Sequence, residues 1–334
     1  MITRTTGATE AAPLPAVAFD ATYGHSVAEL MSFSAPNDPP ADFDEVWQTV
    51  RNDALGVDPA PEIGPWRQES GAGGPVEVAD MHLRSWTGVR LRGWLVRSAG
   101  TVRRALVIGH GYGGRAEPDL SIPAGCLSLQ VVARGLPGSE VAGIGITGAT
   151  HVLSGITSFI TYSHTGAVAD QWVATSVLRD LAPGVPIGYQ GGSFGGGIGA
   201  LAAAFEDRWD ALQVTVPSFG NHPLRLGLRC TGSGEAVRGY AATHPGVLAV
   251  LRYVDAATAA TRVRVPVLCV AAAADPSVPP PGQFAIATSF AGPTWLHVLP
   301  AGHAEWPGSA EVQAEAAGHV ADFWAYPEGS VWPR

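Results

Sequence analysis

Apolar positions in this chain repeat with two different periods. Period two dominates Val76-Glu-Val-Ala-Asp-Met-His-Leu-Arg-Ser-Trp86 and Val89-Arg-Leu-Arg-Gly-Trp-Leu-Val96, which flank Thr87-Gly88. Alternation across a two-residue turn predicts an antiparallel hairpin. Upstream, Asp42 is placed to cap a helix that carries Phe43, Val46, Trp47, Val50 and Ala54 at i, i+3, i+4, i+7 spacing, so its aromatic face is a packing face. Downstream come short, nearly unbroken apolar runs: Ala105-Leu-Val-Ile-Gly109, Val185-Pro-Ile-Gly-Tyr189, Val263-Arg-Val-Pro-Val-Leu-Cys-Val-Ala271 and Thr294-Trp-Leu-His-Val-Leu299. Runs of this kind suit parallel strands buried on both faces. Helical patterns lie among them at 166–182 (Val168, Trp172, Val173, Val177 and Leu178 on one face), at Ile198–Phe205, and from about Ala310 to Tyr326. From residue 105 onward strand and helix alternate, which predicts an α/β fold with a mostly parallel, doubly wound sheet. Residues 1–40 read as irregular, broken at Ala35-Pro-Asn-Asp-Pro-Pro40, and residues 217–262 interrupt the alternation with loop and helix pieces. No repeat or low-complexity linker divides the chain. The expectation is one domain with an N-terminal extension over 1–75 and a lid-like insertion near 217–262.

The sharpest local signal is Gly191-Gly192-Ser193-Phe194-Gly195. It follows a strand-like run and precedes a small-residue helix, the setting of a G-x-S-x-G nucleophile elbow. A serine held above a sheet on a sharp strand-to-helix turn sits in strained backbone, where a neighbouring Cβ would clash. A glycine-rich loop with a bystander serine would show the same five letters, so the test is whether a base and an acid follow.

They follow in the order that the elbow requires, serine, then acid, then histidine. Asp275 leaves the carboxyl end of the 263–271 run in Ala272-Ala-Ala-Asp275-Pro-Ser-Val-Pro-Pro280, the ligand-facing edge of an open α/β sheet. By itself it would read as a turn residue before proline. His303 closes Pro300-Ala-Gly-His303 beyond the next strand, a loop from which an imidazole reaches both serine and carboxylate. His297, within a strand, reads as packed or surface, His319 belongs to the C-terminal helix pattern, and His25, His82, His151, His164, His222 and His244 lack a partner signal. Finally, Ala105–Gly109 runs into His110-Gly111-Tyr112-Gly113-Gly114, a loop suited to aiming a backbone N–H at an oxyanion. The Phe194 N–H, next after the serine, supplies the second donor. His110 itself reads as ordering the loop.

Composition narrows the partners. The chain of 334 residues is 46% hydrophobic, enough for one large core, and carries a formal net charge of −9 with a pI near 5.5. That charge argues against nucleic acid or an anionic membrane as partner. No apolar run approaches membrane-spanning length, and Met1-Ile-Thr-Arg-Thr-Thr-Gly-Ala lacks the apolar core of a secretory signal. Cys126, Cys230 and Cys269 are too few and too scattered for a disulfide framework or a zinc site. The expectation is a cytoplasmic protein without metal or cofactor.

Taken together, Pro40-Ala-Asp42-Phe43-Asp-Glu-Val-Trp47, His110-Gly-Tyr-Gly-Gly114, Arg134-Gly135, Gly166-Ala-Val-Ala-Asp170, the elbow, Arg252-Tyr-Val-Asp255-Ala-Ala, Asp275-Pro-Ser-Val-Pro-Pro280 and Gly302-His303 resemble the acetyl xylan esterase/cephalosporin C deacetylase family, carbohydrate esterase family 7, of the α/β-hydrolases. The resemblance covers roughly residues 30–325. It implies Ser193, Asp275 and His303 as a catalytic triad, the Tyr112 and Phe194 N–H groups as oxyanion donors, deacetylation of sugar-like and small-alcohol esters without a cofactor, and homo-oligomers, often hexamers. Three positions depart from the family's signatures: Leu136 stands for glutamine in Arg-Gly-Gln, Phe194 for glutamine in Gly-x-Ser-Gln-Gly, and Ala304 for glutamate after His303. The expected activity is hydrolysis of a small ester, with Ser193 as nucleophile. The alternatives are the same triad on an amide, lactone or C–C bond, or a silent hydrolase fold that only binds.

Overall fold

The hairpin anticipated at 76–96 forms the antiparallel end of one eleven-stranded sheet in the computed structural model, which describes residues 2–14 and 16–325. Its strands are β1 (Ile2–Gly7), β2 (Glu62–Ile63), β3 (Arg67–Gly71), β4 (Gly74–Arg84), β5 (Arg90–Ser98), β6 (Arg104–Ile108), β7 (Cys126–Val131), β8 (Ile187–Gly192), β9 (Trp209–Thr215), β10 (Val267–Ala272) and β11 (Thr294–Leu299). Across the sheet they run β1-β11-β10-β9-β8-β6-β7-β5-β4-β2, with β3 also on β4. Every pairing from β1 to β7 along this path is parallel, and those involving β5, β4, β3 and β2 are antiparallel.

The helices are α1 (Val27–Leu30), α2 (Phe43–Leu55), α3 (Gly148–His151), α4 (Ser163–Leu181), α5 (Phe194–Ala203), α6 (His222–Arg225), α7 (Gly234–Thr243), α8 (Val247–Leu251), α9 (Ala256–Ala260), α10 (Pro280–Ser289) and α11 (Ser309–Ala325). Helix α2 buries Phe43, Trp47, Val50 and Ala54 as its periodicity requires. Trp47 meets Trp172 and Phe159 edge-on, and its indole N–H donates to the Tyr253 carbonyl at 2.7 Å. Burying an aromatic of this size contributes about 1.5–3 kcal/mol. The expected cap is absent: Asp42 makes no side-chain bond to the helix and accepts instead from the Tyr253 hydroxyl at 2.6 Å.

Four further expectations are corrected. Residues 1–40 are not wholly irregular, because β1 pairs in parallel with β11 and α1 carries a capping box from Ser26 to Glu29. Strand and helix do not alternate throughout: the 109–125 crossover between β6 and β7 contains no helix, its run punctuated by Gly111, Gly113, Gly114, Pro118 and Pro123. Helix α4 is buried over nearly its whole circumference rather than on one face, since it packs on α2, α5 and the sheet. The 263–271 strand begins only at Val267, because Pro266 follows a turn. Tyr326, the expected end of the closing helix, lies outside the described residues. Between the sheet and α11 opens a cleft of about 1430 Å³, bordered by Gln190, Gln213, Thr215, Val320 and Trp324. None of Ser193, Asp275 or His303 lines it.

Candidate active site

Strand β8 delivers Ser193 into the first position before α5, at φ 54° and ψ −116°. A residue with a Cβ rarely holds positive φ unless its surroundings enforce it. Here the Ser193 N–H donates to the Thr215 carbonyl at 2.8 Å, while its own carbonyl accepts from the Ser218 and Gly197 N–H groups, each at 3.1 Å. The glycines of the elbow have a measurable cause. A Cβ on Gly195 would lie 2.8 Å from the His110 backbone N and O, and one on Gly191 would lie 2.7 Å from the Gly195 carbonyl oxygen. The turn therefore closes only with glycine at both places.

Ser193 Oγ lies 3.0 Å from His303 Nε2, and His303 Nδ1 lies 2.7 Å from Asp275 Oδ2. His303 also holds positive φ, 48°, which turns its ring back from the β11 loop toward the elbow. The Asp275 side chain is fully buried, while that of His303 keeps about a quarter of its surface exposed. Asp275 Oδ1 accepts from the Ser277 and Val278 N–H groups at 2.8 and 2.9 Å, and Oδ2 accepts from Gln283 Nε2 at 2.9 Å. Gln283 is held in turn by the Ala272 N–H on its Oε1 and by the Val278 carbonyl on its Nε2. Burial alone would hold His303 below the ordinary histidine value, but the hydrogen bond and the charge of Asp275 together push it above. The arrangement can withdraw a proton from Ser193 Oγ and stabilise the resulting imidazolium.

The His110–Gly114 loop lies alongside. A Cβ on Gly111 would stand 3.5 Å from Ser193 Cβ. Phe194 opens α5, so its N–H has no intrahelical acceptor, and no backbone acceptor is found for the Tyr112 N–H among the described residues. His110 orders this loop, as the sequence suggested. Its Nδ1 bonds the Gly111 carbonyl at 2.7 Å and its Nε2 accepts from the Ala133 N–H at 3.0 Å. Burial holds it down at about 4, so the ring is neutral and unsuited to act as a base near pH 7.

Sequence reasoning missed the groups that hold Tyr112. The Tyr112 hydroxyl lies 3.0 Å from His151 Nδ1 and 2.8 Å from His164 Nε2. His151 Nε2 faces the Arg134 carbonyl at 2.9 Å, which fixes its proton there and leaves Nδ1 as an acceptor. The direction of the chain follows: His164 Nε2–H donates to the Tyr112 oxygen, and the Tyr112 O–H donates to His151. His164 Nδ1 is then a bare acceptor, and it is buried without a partner. Burial pushes the Tyr112 phenol far above its usual value and holds both imidazoles below theirs, His151 at about 4. Behind them, the Arg134 guanidinium grips buried Asp170 through both Nε and Nη2, at 2.8 and 2.6 Å. His151 and His164 stand 39 and 52 residues from Tyr112, and no local spacing announces them. Phe194, 2% exposed, lies with its ring 4.4 Å from that of Tyr112 and about 5.5 Å from those of His151 and His164. Leu136 is buried too.

A serine on a strained elbow, a histidine and a buried carboxylate at the carboxyl edge of a largely parallel sheet define an α/β-hydrolase. Residues 22–315 match the family model described as acetyl xylan esterase, and the chain belongs to that family, a family of carboxylic ester hydrolases. Similar solved structures include the acetyl xylan esterase from Paenibacillus sp. R4, with a TM-score of 0.73, 20% identity, and coverage of 88% of this chain and 99% of that one. Acetyl xylan esterase 1 from Thermoanaerobacterium sp. JW/SL YS485 gives a TM-score of 0.72 at 20% identity over 89% and 98%. An acylaminoacyl peptidase from Pyrococcus horikoshii gives 0.55 at 13% identity, over 77% of this chain and 49% of that one. Among the described residues, no helix is long and apolar enough to cross a membrane.

Proposed function

We propose that this serine esterase hydrolyses small acyl esters, acetyl esters above all, with Ser193 as nucleophile, His303 as general base and acid, and Asp275 as the group that orients and charges the imidazole. The observation that carries the reading is the unbroken line Ser193 Oγ–His303 Nε2 and His303 Nδ1–Asp275 Oδ2, at 3.0 and 2.7 Å. Ser193 attacks the ester carbonyl as His303 takes its proton, and the Tyr112 and Phe194 N–H groups receive the oxyanion. His303 then protonates the leaving alcohol, and water cleaves the acyl-enzyme by the same route. No cofactor takes part.

The buried rings of Phe194 and Phe219 packed with Tyr112 beside the elbow make an apolar neighbourhood, which supports a small acyl group on an alcohol less polar than a sugar. The helices within 217–262 are assigned as a partial lid. Three free, buried cysteines accord with a reducing, cytoplasmic setting. Homo-oligomerisation, hexameric by family resemblance, has apolar surface available at Ile146 and Ile160, 57% and 54% exposed, and light scattering that gives only a 34.5 kDa species at every concentration would exclude it.

The deciding experiment is turnover of p-nitrophenyl acetate together with fluorophosphonate labelling read by mass spectrometry. Label on Ser193 alone, and a loss on the order of 10³-fold or more in Ser193→Ala, are expected. Labelling elsewhere, or activity retained in the variant, overturns the assignment.

A further inference from the structure

We propose that His297, Glu315 and His319 form a zinc site that ties α11 to the β1 edge of the sheet. The three side chains come from two elements and offer ligand atoms that all lie within 4.8 Å of one another. His297 sits on β11 and is buried, Glu315 and His319 face each other one turn apart on α11, and the two imidazole rings approach to 4.5 Å between centroids. His319 Nε2 stands 3.8 Å from Glu315 Oε1, too far for a hydrogen bond.

One further observation suits a cation. The Thr6 hydroxyl, on the neighbouring strand and in register with His297, holds His297 Nδ1 at 3.0 Å. It thereby fixes the ring and leaves Nε2 for a ligand bond, as the outer partners of metal-bound histidines do.

Two borderline imidazoles beside one hard carboxylate make a donor set that suits Zn²⁺ rather than Mg²⁺ or Ca²⁺, which take oxygen ligands alone. With bonds of about 2.0–2.1 Å in tetrahedral geometry, ligand atoms stand about 3.3 Å apart. Exposed Glu315 and partly exposed His319 can close that distance by side-chain rotation, with water in the fourth position. This departs from the expectation of a metal-free protein, which rested on cysteine spacing and did not weigh a histidine pair split between strand and helix.

The experiment is calorimetric titration of chelator-treated, full-length protein with zinc chloride, in parallel with thermal unfolding. One zinc per chain and a raised Tm are expected, with magnesium chloride giving neither. His319→Ala and Glu315→Gln, both at accessible positions, should each weaken zinc at least tenfold, and Thr6→Val about tenfold. None touches the proposed triad, so aryl acetate hydrolysis of the metal-free proteins should match the parent. Absence of stoichiometric binding in the parent, or binding left unchanged in both His319→Ala and Glu315→Gln, would overturn the site.

Discussion

Gln283 and His303 share one oxygen of Asp275: Gln283 Nε2 donates to Oδ2 at 2.9 Å and His303 Nδ1 at 2.7 Å. The glutamine therefore competes for the charge that raises the histidine. As the proposed base, His303 must be neutral to accept the Ser193 proton, so kcat/KM should increase with pH through a midpoint above about 6.5, the ordinary histidine value. Removing the glutamine N–H leaves the carboxylate more basic and holds the imidazolium proton more firmly. Gln283→Met should therefore move the midpoint further up, and a pH–rate profile that does not move, or moves down, contradicts this relationship.

Asp275→Asn removes the charge and presents the wrong group to His303 Nδ1. In serine proteases the equivalent change costs on the order of 10⁴ in kcat. The measurement is kcat for aryl acetate hydrolysis near neutral pH. Near-parental turnover would show that another carboxylate orients His303.

Four imidazoles in the interior are held neutral by burial: His110 and His151 at about 4, His222 at about 3, and His164 well below its usual value. The unfolded chain protonates them near 6.5 and the folded chain does not, so below that pH the unfolded state binds more protons. Their contribution is fully present above about 6.5 and is lost as pH falls toward 4, at up to about 1.4 kcal/mol per pH unit for each group. Thermal unfolding followed from pH 7.5 to 4.5 should show a steep fall in Tm below 6.5, and a flat profile would mean that these rings are accessible to protons in the native state.

The Arg134–Asp170 pair is buried on both sides, with the Ser85 hydroxyl also on the carboxylate. Removing one partner leaves the other as an isolated charge, at about 3–5 kcal/mol. Asp170→Asn should lower the urea midpoint accordingly. Because the Arg134 carbonyl anchors His151 and through it Tyr112, kcat should fall in the surviving folded fraction as well. Loss of stability without loss of kcat would separate this network from the proposed oxyanion donor Tyr112.

Phe194 places a buried ring against Tyr112. Phe194→Gln exchanges that contact for a polar amide among rings, so stability should drop by roughly 1–3 kcal/mol. The preference for an acetylated xylose over an aryl acetate, compared as kcat/KM in parent and variant, should rise. If the ratio is unchanged, Phe194 supports Tyr112 without selecting the alcohol.

What the sequence disclosed and what it hid follow from the range of the interactions. The elbow is legible because part of its glycine requirement is local: a Cβ on Gly191 would lie 2.7 Å from the Gly195 carbonyl oxygen. Asp275 and His303 are legible because the strands before them are apolar runs whose carboxyl ends share one edge of the sheet. Asp42 was read as a cap because capping is local, yet its carboxylate answers Tyr253, 211 residues away. The supports of Tyr112, and Gln283 behind Asp275, depend on packing that no spacing encodes. Polar β1 carried no apolar stripe, and its position is set by hydrogen bonding to β11.

That last pairing constrains when activity can arise. Strand β1, residues 2–7, waits for residues 294–298 while almost the entire chain is synthesised. The same late strand, β11, leads directly into His303. Closing a contact of this sequence separation is entropically slow, and Ser193 is synthesised 110 residues ahead of His303, its proposed base. Newborn chains should therefore be folded in much of the sheet yet chemically inert, and refolding should recover secondary structure well ahead of ester hydrolysis.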